Sequence, residues 1–250
     1  MSESYTAKLA VREAPRPKAK RVYKNVSVAA EGAAWRVLLD GKALPTPLRK
    51  PLVTPAKVLA EAIAAEWDAQ KEHIDPETMP LMRLLSTAID KIAPGRDDII
   101  NALIAYADAD LLCYRAEFPA DLRDRQDAVW QPVLEWVAAK SGASLSFVRG
   151  IMPAQQPPDA VASLVRAIGA LNDLQLTAFQ ANAAVTSSLA LSLAFVHGRL
   201  SAAEVFAASQ LDETYQIEKW GEDPLATARR AHIAADLDGI GLFLKLTSVD

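Results

Sequence analysis

The chain changes its hydrophobic period near Thr54-Pro55, and that switch constrains the fold more than any other feature. Before it, from about Val22 to Val53, apolar residues recur every second position. Trp35, Val37 and Leu39 alternate with Ala34, Arg36 and Leu38, the pattern of a strand with one buried face. Asp40-Gly41 follows directly, a pair suited to a tight hairpin turn in which both central residues need positive φ. Val26-Ser27-Val28 before Glu31-Gly32 predicts another strand, and Pro45, Pro47 and Pro51 confine these segments to sheet edges and loops.

After the switch the period is helical. Thr54-Pro55 reads as an N-cap with proline at the first helical position, followed by a face of Val58, Leu59, Ala62, Ile63 and Trp67. A loop over 73–80 precedes a second face of Leu81, Leu84, Leu85, Ala88 and Ile92, which Pro94-Gly95 is expected to break. Asp97 and Asp98 then fall in the first turn of the next helix. A helix over about 120–140 ends at Gly142, with Pro132 as a kink, and 150–158 is an extended connector. The remaining helices are expected at 159–171, at 173–197 up to Gly198, and from a Ser201–Glu204 capping box to Trp220. Gly221 reads as a left-handed stop, and Asp223-Pro224 opens the final helix. The fold class is therefore α+β: a small β-rich N-terminal domain followed by a larger all-helical C-terminal domain. The expected divisions are a flexible basic lead at 1–20, a β-rich domain at 21–75 and a helical domain at 76–250.

Residues 8–24, which include most of the lead, carry Lys8, Arg12, Arg16, Lys18, Lys20, Arg21 and Lys24 against Glu13. A transit peptide is disfavoured by Pro15 and Pro17 and by Glu3 and Glu13, and no secretory pattern is present. A net charge of -4 and a pI near 5.5 argue against a nucleic-acid binder. The apolar run at 189–196 is too short to span a membrane. A single cysteine, Cys113, precludes a disulfide framework and points to a reducing, cytoplasmic setting.

Chemistry is sparse. Phosphate-loop and nucleophile-elbow motifs are absent, and Gly239-Ile240-Gly241 lies in a helical pattern with no strand before it. His73, His197 and His232 are scattered and read as helix-end or surface residues, so neither metal nor cofactor is expected. Cys113 reads as a small buried hydrophobe, and Thr186-Ser187-Ser188 as a polar patch within a helix. No catalytic residue is assigned.

One stretch resists local explanation. In Q-I-E-K-W-G-E-D (216–223), Gly221 and Asp223 have structural roles as helix stop and N-cap, whereas Gln216, Glu218, Trp220 and Glu222 do not. Acids are unfavourable at a helix C-terminus. A solvated corner with Trp220 tucked onto the core and a partner-binding corner weigh about equally on these residues alone. Glu218 and Glu222 as an acid–base pair would need helical alignment and a pocket, and Gly221 works against the first.

Q-I-E-K-W-G-E-D after G-R-L-S-A-A-E, together with D-L-L-C-Y-R (110–115), G-I-M-P-x-x-Q-P (150–157), A-E-W-D-A-Q (65–70) and I-D-P-E-T-M-P-L (74–81), resembles the assembly chaperone family for the α subunit of the F1 sector of ATP synthase. The likeness runs in order from about Lys24 to near the C-terminus. Met82 and Ser86 depart from it, standing where the family has Thr and Asn, in the 79–90 loop. The family occurs in mitochondria and α-proteobacteria, and this chain resembles a bacterial member. The resemblance implies a non-enzymatic protein that works without ATP, holds the unassembled α subunit, covers a surface that later meets the β subunit, and releases it during assembly. It implies a cytoplasmic protein in a bacterium (mitochondrial matrix in a eukaryote), expected to be a monomer, without nucleic acid or membrane insertion. It marks Glu218 as the acid most tied to function, with Trp220, Gln216 and Glu222 as further partner-binding residues. An enzyme using Glu218 and Glu222 in an interdomain cleft, and a structural subunit of a stable complex, are the competing readings.

Overall fold

A computed structural model describes residues 18–248 apart from Ile151 and Ala154. The earlier part of the basic lead, with Lys8, Arg12, Glu13 and Arg16, lies outside the described residues. Its end runs antiparallel to 72–74: the Ile74 N–H donates to the Ala19 carbonyl at 2.8 Å and the Arg21 N–H to that of Glu72 at 2.9 Å. Lys18 adds an ion pair to Asp75.

The period-two region forms an antiparallel sheet. β1 (Val26–Glu31) pairs with β2 (Ala34–Leu39), setting Val28 opposite Val37, while β3 (Lys42–Ala43) and β4 (Val53–Thr54) both pair with β2. Asp40 and Gly41 turn the chain with φ of 48° and 78°. The Asp40 carboxylate accepts the N–H groups of Asn25 and Lys24, and these bonds hold it below the ordinary carboxylate range.

α1 (Lys57–Asp68) starts later than the Thr54-Pro55 signal suggests. Thr54 pairs with Trp35 as the last residue of β4, and its hydroxyl accepts the Ala56 N–H at 3.3 Å. Sheet pairing takes the backbone that an N-cap would need. α2 (Pro80–Thr87), a wide π turn (88–92) and α3 (Ala93–Ile104) then run end to end. Residues 80–90 are thus helical, not a loop. Pro94-Gly95 interrupts this run, as expected, with Gly95 outside helical geometry at φ -126°, ψ 28° and a kink between the two helical stretches. Asp97 and Asp98 lie in the first turn of the helical stretch that resumes after Gly95, as expected. A wide turn tolerates the missing proline donor, and the bend follows. Asp90, within that turn, is buried and accepts from the Thr46 hydroxyl (2.7 Å) and the Leu48 N–H (3.0 Å), tying the run to the loop after β3.

The strand β5 (Tyr114–Arg115) pairs in parallel with β6 (Val148–Arg149) and flanks α4 (Ala120–Ser141), which ends at Gly142 as its left-handed cap. α5 (Pro158–Gly169) follows the connector. The helix expected over 173–197 is two: α6 (Asp173–Thr186) and α7 (Leu189–Val196). Ser187 takes φ 55° and Ser188 caps α7. The cause lies far away in the chain. Asp110, fully buried, accepts from the Leu189 N–H (2.6 Å), the Ala190 N–H (3.0 Å), the Ser188 hydroxyl (2.9 Å) and the Leu112 N–H (3.0 Å). The hydroxyl run is a helix break clamped by a remote acid, not a passive polar patch.

The next long helix also divides, into α8 (Ala202–Ser209), opened by the expected Ser201–Glu204 box, and α9 (Leu211–Trp220). Tertiary donors satisfy the carbonyls at the break: the Trp130 indole donates to Ala208 at 2.9 Å and Arg230 to Gln210 at 3.3 Å. α10 (Pro224–Thr247) closes the chain with Asp223 as its N-cap. Gly239 has a packing role there, since a Cβ would stand 2.9 Å from the Cβ of Pro80 on α2. Val37, Leu59, Ile63 and Leu85 share one core with Phe195, Leu237 and Phe243, while Trp130, Leu112 and Phe179 sit in the other. The sheet rests on α1, and α1 and α2 join it to α10 in one core. Among the described residues no helix is long and apolar enough to cross a membrane.

Candidate functional site

Most of the sequence motifs singled out above fasten the fold, and they do so in pairs. Glu66 reaches from α1 to accept the Leu81 and Met82 N–H groups at 2.8 and 2.9 Å, capping α2 from outside. Gln70 accepts the Asp75 N–H at 2.7 Å and donates to the Thr78 hydroxyl at 3.1 Å. The 65–70 and 74–81 motifs are thus two halves of one lock. A second lock joins 110–115 to 150–157. The Gly150 N–H donates to the Arg115 carbonyl (3.0 Å), the Gln156 N–H donates to Asp108 (2.8 Å), and the Gln156 side chain brackets Ser146. Buried Arg115 spans to Asp127 (2.7 Å) and Gln131 (2.9 Å) on α4.

Cys113 belongs to this second lock. It is fully buried, and burial first, then the charge of Asp110, push its thiol up to about 12. A thiol at that value holds almost no thiolate at neutral pH, so Cys113 is no nucleophile. His73, His197 and His232 are exposed and apart. Among the described residues no group of His, Cys, Asp and Glu side chains could hold a metal ion. Met82 and Ser86 are buried, with the Ser86 hydroxyl 3.8 Å from the Met82 sulfur, on the wall of a largely apolar groove shared with Pro45, Leu48, Trp67 and Ile74.

The 216–223 corner is different, because little of it faces inward. Trp220 is 73% exposed at the end of α9, and Leu225, on the first turn of α10, is 82% exposed. The alternative of Trp220 tucked onto the core is therefore excluded. Gly221 ends α9 with φ 88° and ψ 173°, an extended mirror-image conformation open to glycine, in place of the expected compact left-handed stop. Asp223 accepts the Ala226 N–H at 2.8 Å, as an N-cap should. Gln216, Glu218 and Glu222 are exposed. Because the helix stops at Trp220, Glu222 lies off it and is not stacked over Glu218. The Glu218 carboxylate instead meets Arg125 of α4 at 2.6 Å. The two acids thus lack the shared enclosed setting that acid–base work would need.

The residues that surround the corner escape sequence reasoning. Asp121, on the first turn of α4, accepts the Tyr215 hydroxyl at 2.8 Å and pairs with Lys219 at 3.1 Å. These contacts, the Tyr215 bond foremost, hold its carboxyl below the usual range. Phe118, just before α4, is 78% exposed. Nothing in the local pattern of 118–125 marks it as facing 215–220, since Arg125 and Glu218 are 93 positions apart.

Known proteins share this architecture. The family model described as ATP12 chaperone protein matches residues 20–138. The mitochondrial protein atp12 of Schizosaccharomyces pombe is 27% identical over 219 residues, covering 83% of this chain and 75% of that protein. The crystal structure of Atp12 from Paracoccus denitrificans superposes with a TM-score of 0.85 at 38% identity, over 92% of this chain and 98% of the other. The Atu1473 protein of Agrobacterium tumefaciens gives 0.84 at 39% identity, over 90% and 85%. Since the likeness to a solved Atp12 extends through both cores and nearly the whole of that relative, the chain belongs to the ATP12 chaperone family.

Proposed function

We propose that this protein is an ATP-independent assembly chaperone that holds the unassembled α subunit of F1 ATP synthase, shields its subunit interface and gives it up as F1 assembles. The observation that carries this reading is the 216–225 corner, where Trp220 and Leu225 stand exposed beside the half-exposed Glu218. Exposed large apolar side chains rimmed by charge suit protein recognition. Family membership supports the chaperone role, and the absence of an enclosed acid pair at the corner favours binding over catalysis. An orphan subunit exposes apolar interface that aggregates unless covered. In this reading Trp220 is the anchor, Glu218 faces a basic client group, and Gln216 and Glu222 complete the contact. Release follows when the β subunit competes for the same client surface. The protein acts as a monomer, in the cytoplasm of a bacterial cell.

The test is retention of the client. Tagged protein is expected to recover free α subunit with or without ATP, and to be missing from finished ATP synthase. Recovery in fixed proportion with the finished enzyme would make it a structural subunit. Failure to retain α subunit in either condition would end the proposal.

A further inference from the structure

The charged side chains where α4 meets α9 are already matched within the free protein, and one match is exposed enough to be exchanged. The Asp121–Lys219 contact also engages Tyr215, so it belongs to a network that docks α9 onto α4. Arg125 and Glu218 form a plain pair at 2.6 Å, with side chains 48% and 45% exposed. Neither has another hydrogen-bonding partner among the described residues, and the Tyr215 ring lies 5.5 Å from the Arg125 guanidinium carbon. Exposed pairs of this kind add little to stability and open readily.

The pair has a consequence for recognition. Glu218 is neutralised before any partner arrives, so a client cation reaches it only by displacing or sharing Arg125. A displaced guanidinium carries several N–H donors and can accept nothing, and a carboxylate is its best-matched partner. We propose that Arg125 is a second client-reading residue of this corner. On binding, Glu218 turns to a basic group of the client and Arg125 to a carboxylate beside it, while Trp220 enters an apolar site. The partner patch is therefore a base and an acid side by side next to an apolar pocket. This rests on the client reading above and specifies the chemistry of the surface recognised. In the free protein the two charges cancel, and a partner lacking either complement leaves one of them unpaired and desolvated, which selects against it.

The alternative is that Arg125 only positions the Glu218 carboxylate. A double-truncation cycle separates the two, with purified α subunit as the probe and affinity and thermal melt read on each protein. R125A is expected to weaken binding by about tenfold or more with an unchanged melt, as truncating one member of an interfacial charge pair does. E218A should behave likewise, and R125E and E218R should be weaker still. In the double variant R125A/E218A the loss at Arg125 is expected to add to the loss at Glu218, because each residue meets its own group of the client. R125A/E218A binding no weaker than E218A alone would show that Arg125 merely holds Glu218, and overturns the proposal. R125A binding like the wild type while E218A fails also overturns it and leaves the client reading intact. Wild-type protein that does not retain α subunit overturns both.

Discussion

Asp110→Ala is expected to cost about 4 kcal/mol or more of stability, enough to consume a large share of the ~5–15 kcal/mol that holds a typical domain folded. The reason is geometric. Its carboxylate is the common acceptor for the N–H groups of Leu112, Leu189 and Ala190 and for the Ser188 hydroxyl. Alanine would leave these donors buried without partners, and each such loss typically costs ~1–3 kcal/mol. Burial pushes the Asp110 carboxyl upward, while the same hydrogen bonds pull the other way and the N-terminus of α7 adds a favourable field. Asp110→Asn retains the shape but turns an amide donor towards other donors, so it should fall between wild type and alanine. Urea midpoints at constant slope measure both. A loss below ~1 kcal/mol for alanine would mean that the break between α6 and α7 holds itself without the acid.

Glu218→Lys should do the opposite, sparing the fold and removing the function. The side chain is about half exposed, and among the described residues its ion pair is to the similarly exposed Arg125. Lysine there loses that pair and faces Arg125 with like charge, a change expected to stay within roughly 1 kcal/mol because solvent screens both groups. Binding is another matter. A reversed charge opposite a client cation turns attraction into repulsion in a desolvated contact, typically costing several kcal/mol. A thermal melt beside an α-subunit pull-down reads both quantities. An unchanged melt with lost retention supports the corner as the contact surface, and full retention would exclude it. Trp220→Ala is a clean companion, since a side chain 73% exposed has little core packing to lose and should weaken retention alone.

What was legible from the residues is everything decided within a few positions. The alternation around Val37 forms β2, and Asp40-Gly41 turns the hairpin because its neighbours twist that way. The Ser201–Glu204 box and the Asp223 cap both form, since each closes its hydrogen bonds across three residues. The order of a small sheet before a larger helical part followed from the same local periods. The corner at 216–223 stood out for a related reason: its acids and its Trp had no local rule to satisfy.

Tertiary structure decided where the helices stop and what the corner faces. The break at Ser187 is dictated by Asp110, 79 positions from Leu189, and that at Gln210 by Trp130 and Arg230. α1 starts late because β2 claims Thr54. Trp220 points outward, and Glu218 meets Arg125 across 93 positions. Propensity and capping act over one turn, whereas a buried acid, a shared strand or an interhelical ion pair acts wherever packing brings distant residues together, and only the completed cores bring them there.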